Sequence, residues 1–426
     1  MKSKTVRSRP YWMQVGLILV NLYIATVLCG AATEKNENGF ESLFNGKDLT
    51  GWAGDPRRWS VRDGFIRGQT SEEYPLEGST YLVWDRDKFK NFVLKFDFRV
   101  ENGNSGLLYR GDRLDKWRID GYQVAIDNGD AISGRLWDSY ERGLIAQTGE
   151  FIRMDKNGKR HIVGKVGFRD DMGKSGYYRP AAWNRCTVVA RGNHVAHYVN
   201  GFQTIELIDD DPERRSLTGH IAFQLHQGPA MTVDFRNVRV KRLPYHYGQA
   251  IHLFDGKTLA GWRSYPARTR WRVQDGNLMV ETGVHGYIRT IDTYRDFVLR
   301  LQHRSMDADR GRVLARMIGT DRLWPECMQV ALDSGRAGSS SARKRSFSQD
   351  GTGKIVSDPS EAETGRAVWQ EWELGLDGTR AEIRSNGSVR RSWKGCPDRE
   401  GHVGLTSGGD RMRFRNIVLI PIRQSE

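Results

Sequence analysis

Residues 92–100 read FVLKFDFRV, and this alternation of apolar and polar side chains decides the fold class. Successive side chains of a strand point to opposite faces, so a period of two predicts a half-buried β-strand. The same period recurs in four later segments, residues 186–190, 194–199, 221–226 and 233–240. Turn pairs such as Asn200-Gly201 separate such segments, and no long amphipathic helical pattern interrupts them. We therefore predict an all-β protein built from two-sheet sandwiches.

The chain carries two copies of one pattern, about 210 residues apart. Residues 42–52, SLFNGKDLTGW, return as residues 252–262, HLFDGKTLAGW. Further pairs follow in the same order: WSVRDG at 59–64 with WRVQDG at 271–276, QVAID at 123–127 with QVALD at 329–333, and DFRNV at 234–238 with RFRNI at 413–417. A repeat of this length is a complete domain with its own core. We predict domains at residues 39–243 and 251–423, joined by a linker at residues 244–250.

Residues 1–32 have the layout of a secretory signal peptide. Basic residues precede an apolar run at residues 12–28, and small residues at 30–32 follow it. This predicts cleavage near residue 33 and export to the periplasm or the extracellular space. An uncleaved membrane anchor is the alternative, although Asn21, Tyr23 and Thr26 weaken the apolar run. No second membrane segment follows.

The formal net charge is +14, and it becomes +10 once residues 1–32 and their four basic residues are removed. A basic exported protein favours anionic glycans as partners, but many cations are interleaved with acids, as in residues 85–88, DRDK. Nucleic acid would need a concentrated basic stripe, which the sequence lacks. We therefore expect a saccharide partner, either neutral or anionic, and no nucleic acid.

Three cysteines follow the signal segment: Cys186, Cys327 and Cys396. Their odd number, without a CxxC pair or zinc-site spacing, argues against a disulfide framework. A bridge between Cys327 and Cys396 inside the second copy remains an alternative.

Several blocks of the first copy together resemble a known family. They are GFESLFNGKDL at 39–49, NSGLLYR at 104–110, GYQ at 121–123, GNHVAHYVNG at 192–201, QLHQGP at 224–229 and FRNV at 235–238. In this order they resemble the 3-keto-disaccharide hydrolase domain. The resemblance covers nearly all of the chain after the signal segment, in tandem. It implies two concanavalin-like jelly-roll sandwiches, each with a concave sheet that can hold a sugar.

The resemblance also implies a chemistry on glycosides oxidised at the 3-hydroxyl. A ketone at C3 acidifies the proton at C2, so a base can remove it and the group at C1 can then leave. Addition of water completes net hydrolysis. Such a site needs a base, a donor or cation for the enolate oxygen, and an acid for the leaving group, rather than a carboxylate pair alone.

Differences between the copies nominate the catalytic residues of the first. His226 shares a strand face with Gln224, and the second copy replaces the two residues by Gly408 and Thr406. His197 becomes Ile383, and Arg110 aligns with Ala315. His226 and His197 could act as acid and base or, with a carboxylate, hold a divalent metal ion. Arg110 could stabilise an enolate or clamp a hydroxyl.

His194 lies on the opposite strand face from His197, and we expect it at the surface. A merely hydrogen-bonded sheet histidine is the alternative reading of His226.

Residues 136–142, LWDSYER, resemble a segment that borders the family's pocket. Its carboxylates Asp138 and Glu141 are the base candidates, because Gln123 stands where family members often carry glutamate; solvated loop charges are the alternative. The substrate-binding candidates are Asn104, Ser105, Tyr122, Gln123, Asp127, Trp137, Arg142, Gln224 and Trp117. Gln123 and Asp127 recur as Gln329 and Asp333, so a structural role is equally open for both.

Three functions fit these observations. The first copy could cleave a 3-keto glycoside while the second supports or binds. The chain could instead be a non-catalytic carbohydrate-binding or adhesion protein, or a spacer in the cell envelope. Sandwiches of this kind serve such roles alike, so the fold does not choose between them.

Overall fold

The computed structural model describes most of the chain from residue 39 onwards. The described ranges are 39–128, 132–139, 141–167, 177–267, 269–280, 286–305, 311–323, 325–332, 340–341, 369–385, 388–407 and 411–423. The predicted signal segment, residues 1–32, lies outside them. Every regular element within these ranges is a β-strand, and the strands form four sheets arranged as two tandem sandwiches. The predicted fold class is confirmed.

The first sandwich consists of a ten-stranded and a seven-stranded sheet. In sheet order the ten-stranded sheet contains β12 (Arg160–Lys165), β11 (Glu150–Met154), β15 (Phe202–Asp209), β14 (His194–Val199), β13 (Asn184–Arg191), β6 (Phe92–Glu101), β17 (Thr232–Arg242), β4 (Phe65–Gln69) and β3 (Trp59–Arg62), with β1 (Glu41–Ser42) beside β17. The seven-stranded sheet contains β10 (Gly143–Ala146), β9 (Leu136–Asp138), β8 (Tyr122–Asp127), β7 (Asn104–Gly111), β16 (His220–Leu225), β5 (Thr80–Trp84) and β2 (Trp52–Ala53).

The second sandwich consists of a nine-stranded and a six-stranded sheet. The nine-stranded sheet contains β21 (Trp271–Gln274), β22 (Asn277–Val280), β32 (Met412–Arg423), β24 (Phe297–Ser305), β28 (Gln370–Asp377), β29 (Arg380–Ser385) and β30 (Ser388–Lys394), with β18 (His246–Tyr247) and β19 (Ile251–His252) beside β32. The six-stranded sheet contains β20 (Trp262–Tyr265), β23 (Tyr287–Thr290), β31 (His402–Thr406), β25 (Arg312–Ile318), β26 (Glu326–Ala331) and β27 (Ser340–Ser341). Strand β18 lies in the segment predicted as a linker.

The core of the first sandwich forms where the alternation predicted it. The apolar face of β6 is fully buried: Phe92, Leu94, Phe96, Phe98 and Val100. Phe223 of the smaller sheet stacks on Phe235 of the larger one, with ring centroids 3.8 Å apart. Full burial of one such side chain contributes about 1.5–3 kcal/mol, so this aromatic layer fixes the two sheets against each other.

Strand register shows which residues of the two smaller sheets correspond. Leu108 pairs with Gln123 and Ala222, and Leu314 pairs with Gln329 and Gly404 in the same way. The counterpart of Leu108 is therefore Leu314, and counting forward makes Arg316 the counterpart of Arg110. The sequence alignment with Ala315 was wrong by one residue.

The two larger sheets pack against each other, so each has both faces covered where they meet. Phe151 and Ile208 of the first sandwich share an apolar cluster with Val298, Val418 and Ile420 of the second. The linker predicted between the domains thus joins two bodies in direct contact.

Buried ion pairs cross this interface. Arg191 donates to both carboxylate oxygens of Glu373, at 2.9 and 2.7 Å, and Arg300 lies 3.2 Å from Glu206. His194 bonds the same Glu206 at 2.8 Å and is fully buried. The expectation that His194 lies at the surface was wrong, because the second sandwich covers its face of the sheet.

Cys186, Cys327 and Cys396 are free, buried thiols, so the alternative of a Cys327–Cys396 bridge is not realised. The described part of the chain contains no helix that is long and apolar enough to cross a membrane.

Candidate functional site

The seven-stranded sheet of the first sandwich turns one face to the core and one face away from it. Leu82, Leu107, Val124 and Phe223 point into the core. The alternate positions point away from it: Tyr81, Leu108, Gln123 and Gln224, with Trp137 on the neighbouring strand. We call this second surface the outer face of the first sandwich. Tyr81, Val83, Leu108 and Ala222 form a small apolar cluster there, separate from the core.

Two glutamine amides meet at the middle of this face. Gln123 Nε2 donates to Gln224 Oε1 at 2.8 Å, and Gln224 Nε2 lies 3.3 Å from Ser79 Oγ and 3.4 Å from Tyr81 Oη. Gly106 lies on the strand between them, and a Cβ there would be 2.2 Å from Gln123 Nε2. The glycine therefore provides the room in which the amides join. Neutral donors and acceptors in a row suit the hydroxyl groups of a sugar.

Two tryptophans lie on opposite sides of the amide pair along the sheet. The loop at residues 112–121 places Trp117 beside β5, where Tyr81 N donates to Trp117 O at 3.1 Å. On the other side Trp137 pairs with Gln123 in register and is 43% exposed. An exposed indole beside a polar amide can stack on the apolar face of a pyranose ring.

His226 lies at the end of this face, directly after β16. It is half-buried, and continuing the alternation of β16 from Gln224 places it on the same side. Its Nδ1 contacts Gln227 O. A carbonyl oxygen only accepts, so in the neutral ring Nδ1 carries the hydrogen and Nε2 keeps a lone pair. In that tautomer Nε2 is a hydrogen-bond acceptor.

Asn104 and Asp127 accompany His226 at this end of the sheet. The two residues pair in register on β7 and β8, and Leu225, which precedes His226, pairs with Ser105 on β7. The structure thus brings Asn104, Gln123, Asp127, Trp137, Gln224 and His226 onto one face, with Trp117 at its border.

His197 does not belong to this group. It is fully buried between the sheets, where its Nε2 lies 2.8 Å from the Tyr109 hydroxyl. Burial lowers the pKa of His197 to about 3, so the ring is neutral. The predicted meeting of His197 with His226 is wrong, because the alternation of β14 turns His197 into the core. Among the described residues no three His, Cys, Asp or Glu side chains are placed to hold a metal ion.

Arg110 is also an interior residue. Its guanidinium donates to Lys90 O at 2.9 and 2.6 Å, to Gly192 O at 2.8 Å and to Ser216 O at 3.3 Å. Burial lowers the pKa of Arg110 to about 10. Its donors are engaged with backbone carbonyls of three loops, so they do not reach a sugar on the outer face.

Arg316 repeats this arrangement in the second sandwich. It donates to Arg295 O at 2.9 Å, to Gly378 O at 2.7 Å and to Pro397 O. Both arginines adopt positive φ angles, 53° for Arg110 and 52° for Arg316. The prediction that the second copy lacks the arginine was therefore wrong, and the residue ties loops together in both copies.

Asp138, Arg142 and Tyr122 belong to one buried network under the sheet, joined through Asp209. Arg142 donates to Asp138 at 2.6 Å and to Asp209 at 2.7 Å, and the Tyr122 hydroxyl donates to Asp209 at 2.5 Å. The side chains of Asp138 and Arg142 are at most 7% exposed. These three candidates face the interior, so a base function for Asp138 on the outer face is not supported by its position.

The two remaining candidates also lie apart from the amide pair. Ser105 turns inward and its hydroxyl donates to Gln224 O at 2.6 Å, which supports β16 from below. Glu141 is exposed in the turn between β9 and β10. Sequence reasoning missed Tyr81 and Ser79, which contact Gln224. The alternation of residues 80–84, TYLVW, opposite Gln224 is the signal that could have found Tyr81.

Comparison with known proteins gives the chain a family. The model of the 3-keto-alpha-glucoside-1,2-lyase-like domain matches residues 39–241 and 249–420. A 3-keto-disaccharide hydrolase from Bacteroides thetaiotaomicron is 31% identical over 96 residues, which span 20% of this chain and 32% of that relative.

Two solved structures show similarity over about half of the chain. A Parabacteroides distasonis protein described as a candidate glycosyl hydrolase is 25% identical, with a TM-score of 0.33, over 48% of this chain and 94% of its own. A carbohydrate-binding module from Bacillus subtilis is 14% identical, with a TM-score of 0.30, over 45% of this chain and 95% of its own.

Proposed function

Because the chain belongs to the 3-keto-alpha-glucoside-1,2-lyase-like domain family, in two copies, we propose that its first sandwich cleaves a glycoside oxidised at C3. The observation that carries the proposal is the outer face itself. The bonded pair Gln123 and Gln224 lies between Trp117 and Trp137 along the sheet, and His226 follows β16 at the end of the same face.

The proposed reaction begins with proton removal from C2. His226 Nε2 takes the proton, and the electron pair of the C–H bond moves toward the C3 carbonyl to give an enolate. The enolate then expels the group at C1, which leaves as an alcohol after receiving the proton from His226. The sugar product carries a double bond between C1 and C2, and addition of water to it gives net hydrolysis.

The amide pair would stabilise the enolate oxygen. Gln123 Nε2 carries two hydrogens, and among the described residues it donates to one acceptor, Gln224 Oε1. The second hydrogen has no acceptor among those residues, and in the proposed reaction it bonds the enolate oxygen. A donor fixed in place before the reaction stabilises developing negative charge without reorganisation.

A second candidate function is saccharide binding without cleavage. The burial of Asp138 and His197 favours it, since two of the predicted acid–base groups lie in the interior. The amide row and the two indoles would serve a binding module equally well.

Incubation of the purified protein with a 3-keto-glucoside, and separately with the unoxidised glucoside, tests the proposal. We expect cleavage of the 3-keto-glucoside only. Chromatography of the released alcohol measures it. His226→Ala should lower kcat by about 10²–10⁴-fold, the usual contribution of a general base. His246→Ala, at an exposed histidine of β18, is the matched control.

Undiminished turnover in His226→Ala would remove this residue from the mechanism. Saturable saccharide binding by the wild type without turnover would establish the second candidate instead.

We also propose that the protein acts outside the cytoplasm, because residues 1–32 have the layout of a signal peptide. Expression of the full chain in a bacterial host and mass measurement of the periplasmic product test this. A product that begins near residue 33 is expected, and a full-length product retained in the membrane would favour the anchor.

A further inference from the structure

The outer face of the second sandwich carries arginines where the first carries small or apolar residues. Ala53 pairs with Val83 in the first sandwich, and Arg263 pairs with Arg289 at the same places in the second. On the next strands Gly106 pairs with Gln224, and Arg312 pairs with Thr406. Three substitutions of one kind on one face change its charge while the backbone pairing stays the same.

One of these arginines is neutralised within the face. Arg289 binds Asp321 through two bonds, at 2.7 and 3.0 Å, and the Tyr287 hydroxyl lies 3.2 Å from the same carboxylate. Arg263 is 3.6 Å from Asp321 with a side chain that is 69% exposed. Asp321 is therefore saturated by Arg289 and Tyr287.

Arg312 is different from its two neighbours. It is half-buried at the centre of the face, in the place where Gly106 makes room for the amide pair of the first sandwich. Among the described residues it forms no ion pair. A guanidinium that gives up part of its hydration without an acidic partner is suited to bind an anionic group from outside.

Aromatic rings lie on the same face. Tyr265 and Tyr287 pair in register and stack at 5.6 Å between centroids. Tyr265 is half-buried, so part of its ring faces solvent. An aromatic surface near a planar cation can contact the ring of a sugar while the cation binds an anionic substituent.

We propose that the outer face of the second sandwich binds an anionic saccharide, with Arg312 contacting its carboxylate or sulfate oxygens. This site is separate from the cleavage site proposed for the first sandwich. It would hold an acidic glycan, while the neutral amide face of the first sandwich holds the residue to be cleaved.

Calorimetric titration of the purified protein tests the proposal. The probes are a galacturonate trimer, a sulfated oligosaccharide, the neutral galactose trimer and inorganic sulfate. We expect saturable binding of at least one acidic saccharide, weakening as salt is raised, and no comparable binding of the neutral trimer. Preference for the galacturonate or the sulfated probe identifies which oxyanion the site accepts.

Arg312→Gln should weaken that binding by about tenfold to a hundredfold, the range expected for a charge-assisted hydrogen bond. Arg312→Lys keeps the charge without the two-pronged donor, so an intermediate loss is expected. The matched control is Arg413→Gln, at a half-buried arginine of the nine-stranded sheet. Thermal unfolding of each variant shows whether the fold is intact.

Equal binding of the acidic and neutral trimers, or unchanged affinity in Arg312→Gln, would overturn the proposal. Binding of inorganic sulfate as tight as that of the saccharides would also overturn it, because the sugar ring would then contribute nothing. Turnover of a 3-keto-glucoside should be the same in Arg312→Gln and wild type. If neither the wild type nor Arg312→Gln cleaves the 3-keto-glucoside, the cleavage proposal fails. The titration still tests anion binding by the second sandwich, so the two proposals can fail separately.

Discussion

The outer faces of the two sandwiches share one backbone pattern and differ in chemistry. Tyr81 and Leu108 return as Tyr287 and Leu314 in the same register. The first face centres on two amides above Gly106, whereas the second centres on the guanidinium of Arg312. The comparison teaches that the repeated positions maintain the sheet, and that function is to be sought at the few positions where the copies diverge.

In the interior the copies agree where the sequence comparison suggested a difference. Arg110 has a counterpart in the second sandwich, Arg316. Arg110 and Arg316 each hold the carbonyls of three loops from a buried position. Because the two arginines have the same role, replacing either one should destabilise the fold to a similar extent.

Arg110→Met and Arg316→Met should each lower the free energy of unfolding by about 3–5 kcal/mol, the cost of leaving several buried partners unsatisfied. This is the largest effect we expect. Urea unfolding followed by tryptophan fluorescence measures it, and Arg380→Met at an exposed arginine of β29 serves as the control. A large loss for Arg316 with none for Arg110 would contradict the shared role and return Arg110 to the list of functional candidates.

Gly106→Arg places the arginine of the second face into the first. The new Cβ would meet Gln123 Nε2 at 2.2 Å and separate the amide pair. Loss of one oriented donor lowers kcat by about 10²–10³-fold in comparable sites. Cleavage of a 3-keto-glucoside by Gly106→Arg should fall by that factor.

Gly78→Arg, where the added side chain meets open space, should cleave at the wild-type rate. Gly106→Ala isolates the steric part of the effect. If both Gly106 variants fold and retain full turnover, the amide pair is not part of the reaction.

The sequence predicted the strands well because the signal is local. The alternation in residues 92–100 reports directly which side chains of β6 enter the core. It does not say what lies on the far side of a sheet. His194 and His197 do point to opposite faces, as expected, but the second sandwich covers the face of His194 and the first core encloses His197.

The error at Arg110 was one of alignment, because the offset of 206 residues between Gln123 and Gln329 already places Arg110 opposite Arg316. The ladder slips between residues 220 and 222 opposite β7, and again between residues 314 and 317 of β25. The two bulges lie at equivalent places, so they leave the correspondence between the copies unchanged. What the sequence does not contain is the structural role, since the bonds of both arginines to loop carbonyls became visible only in the structure.

The smallest expected effect concerns the pH dependence of stability at His197. The second sandwich carries Ile383 in its place. Burial lowers the pKa of folded His197 to about 3, whereas the unfolded chain has the ordinary value of about 6.5. Below pH 6.5 the unfolded state therefore binds a proton that the folded state does not bind. The stabilising contribution is present above pH 6.5 and is lost as the pH falls toward 3.

In His197→Ile the unfolded chain no longer binds this proton, so its contribution to the pH dependence of unfolding disappears. Between pH 6 and pH 4 the free energy of unfolding of the wild type should fall more steeply than that of the variant, by about 1.4 kcal/mol per pH unit. At pH 7 the variant should lose about 1–3 kcal/mol, because the Tyr109 hydroxyl loses its partner. Turnover at pH 7 should stay at the wild-type level, since the ring lies under the sheet. Parallel pH slopes together with lost turnover would mean that His197 exchanges protons at the site, and the division between a catalytic outer face and a structural interior would fail.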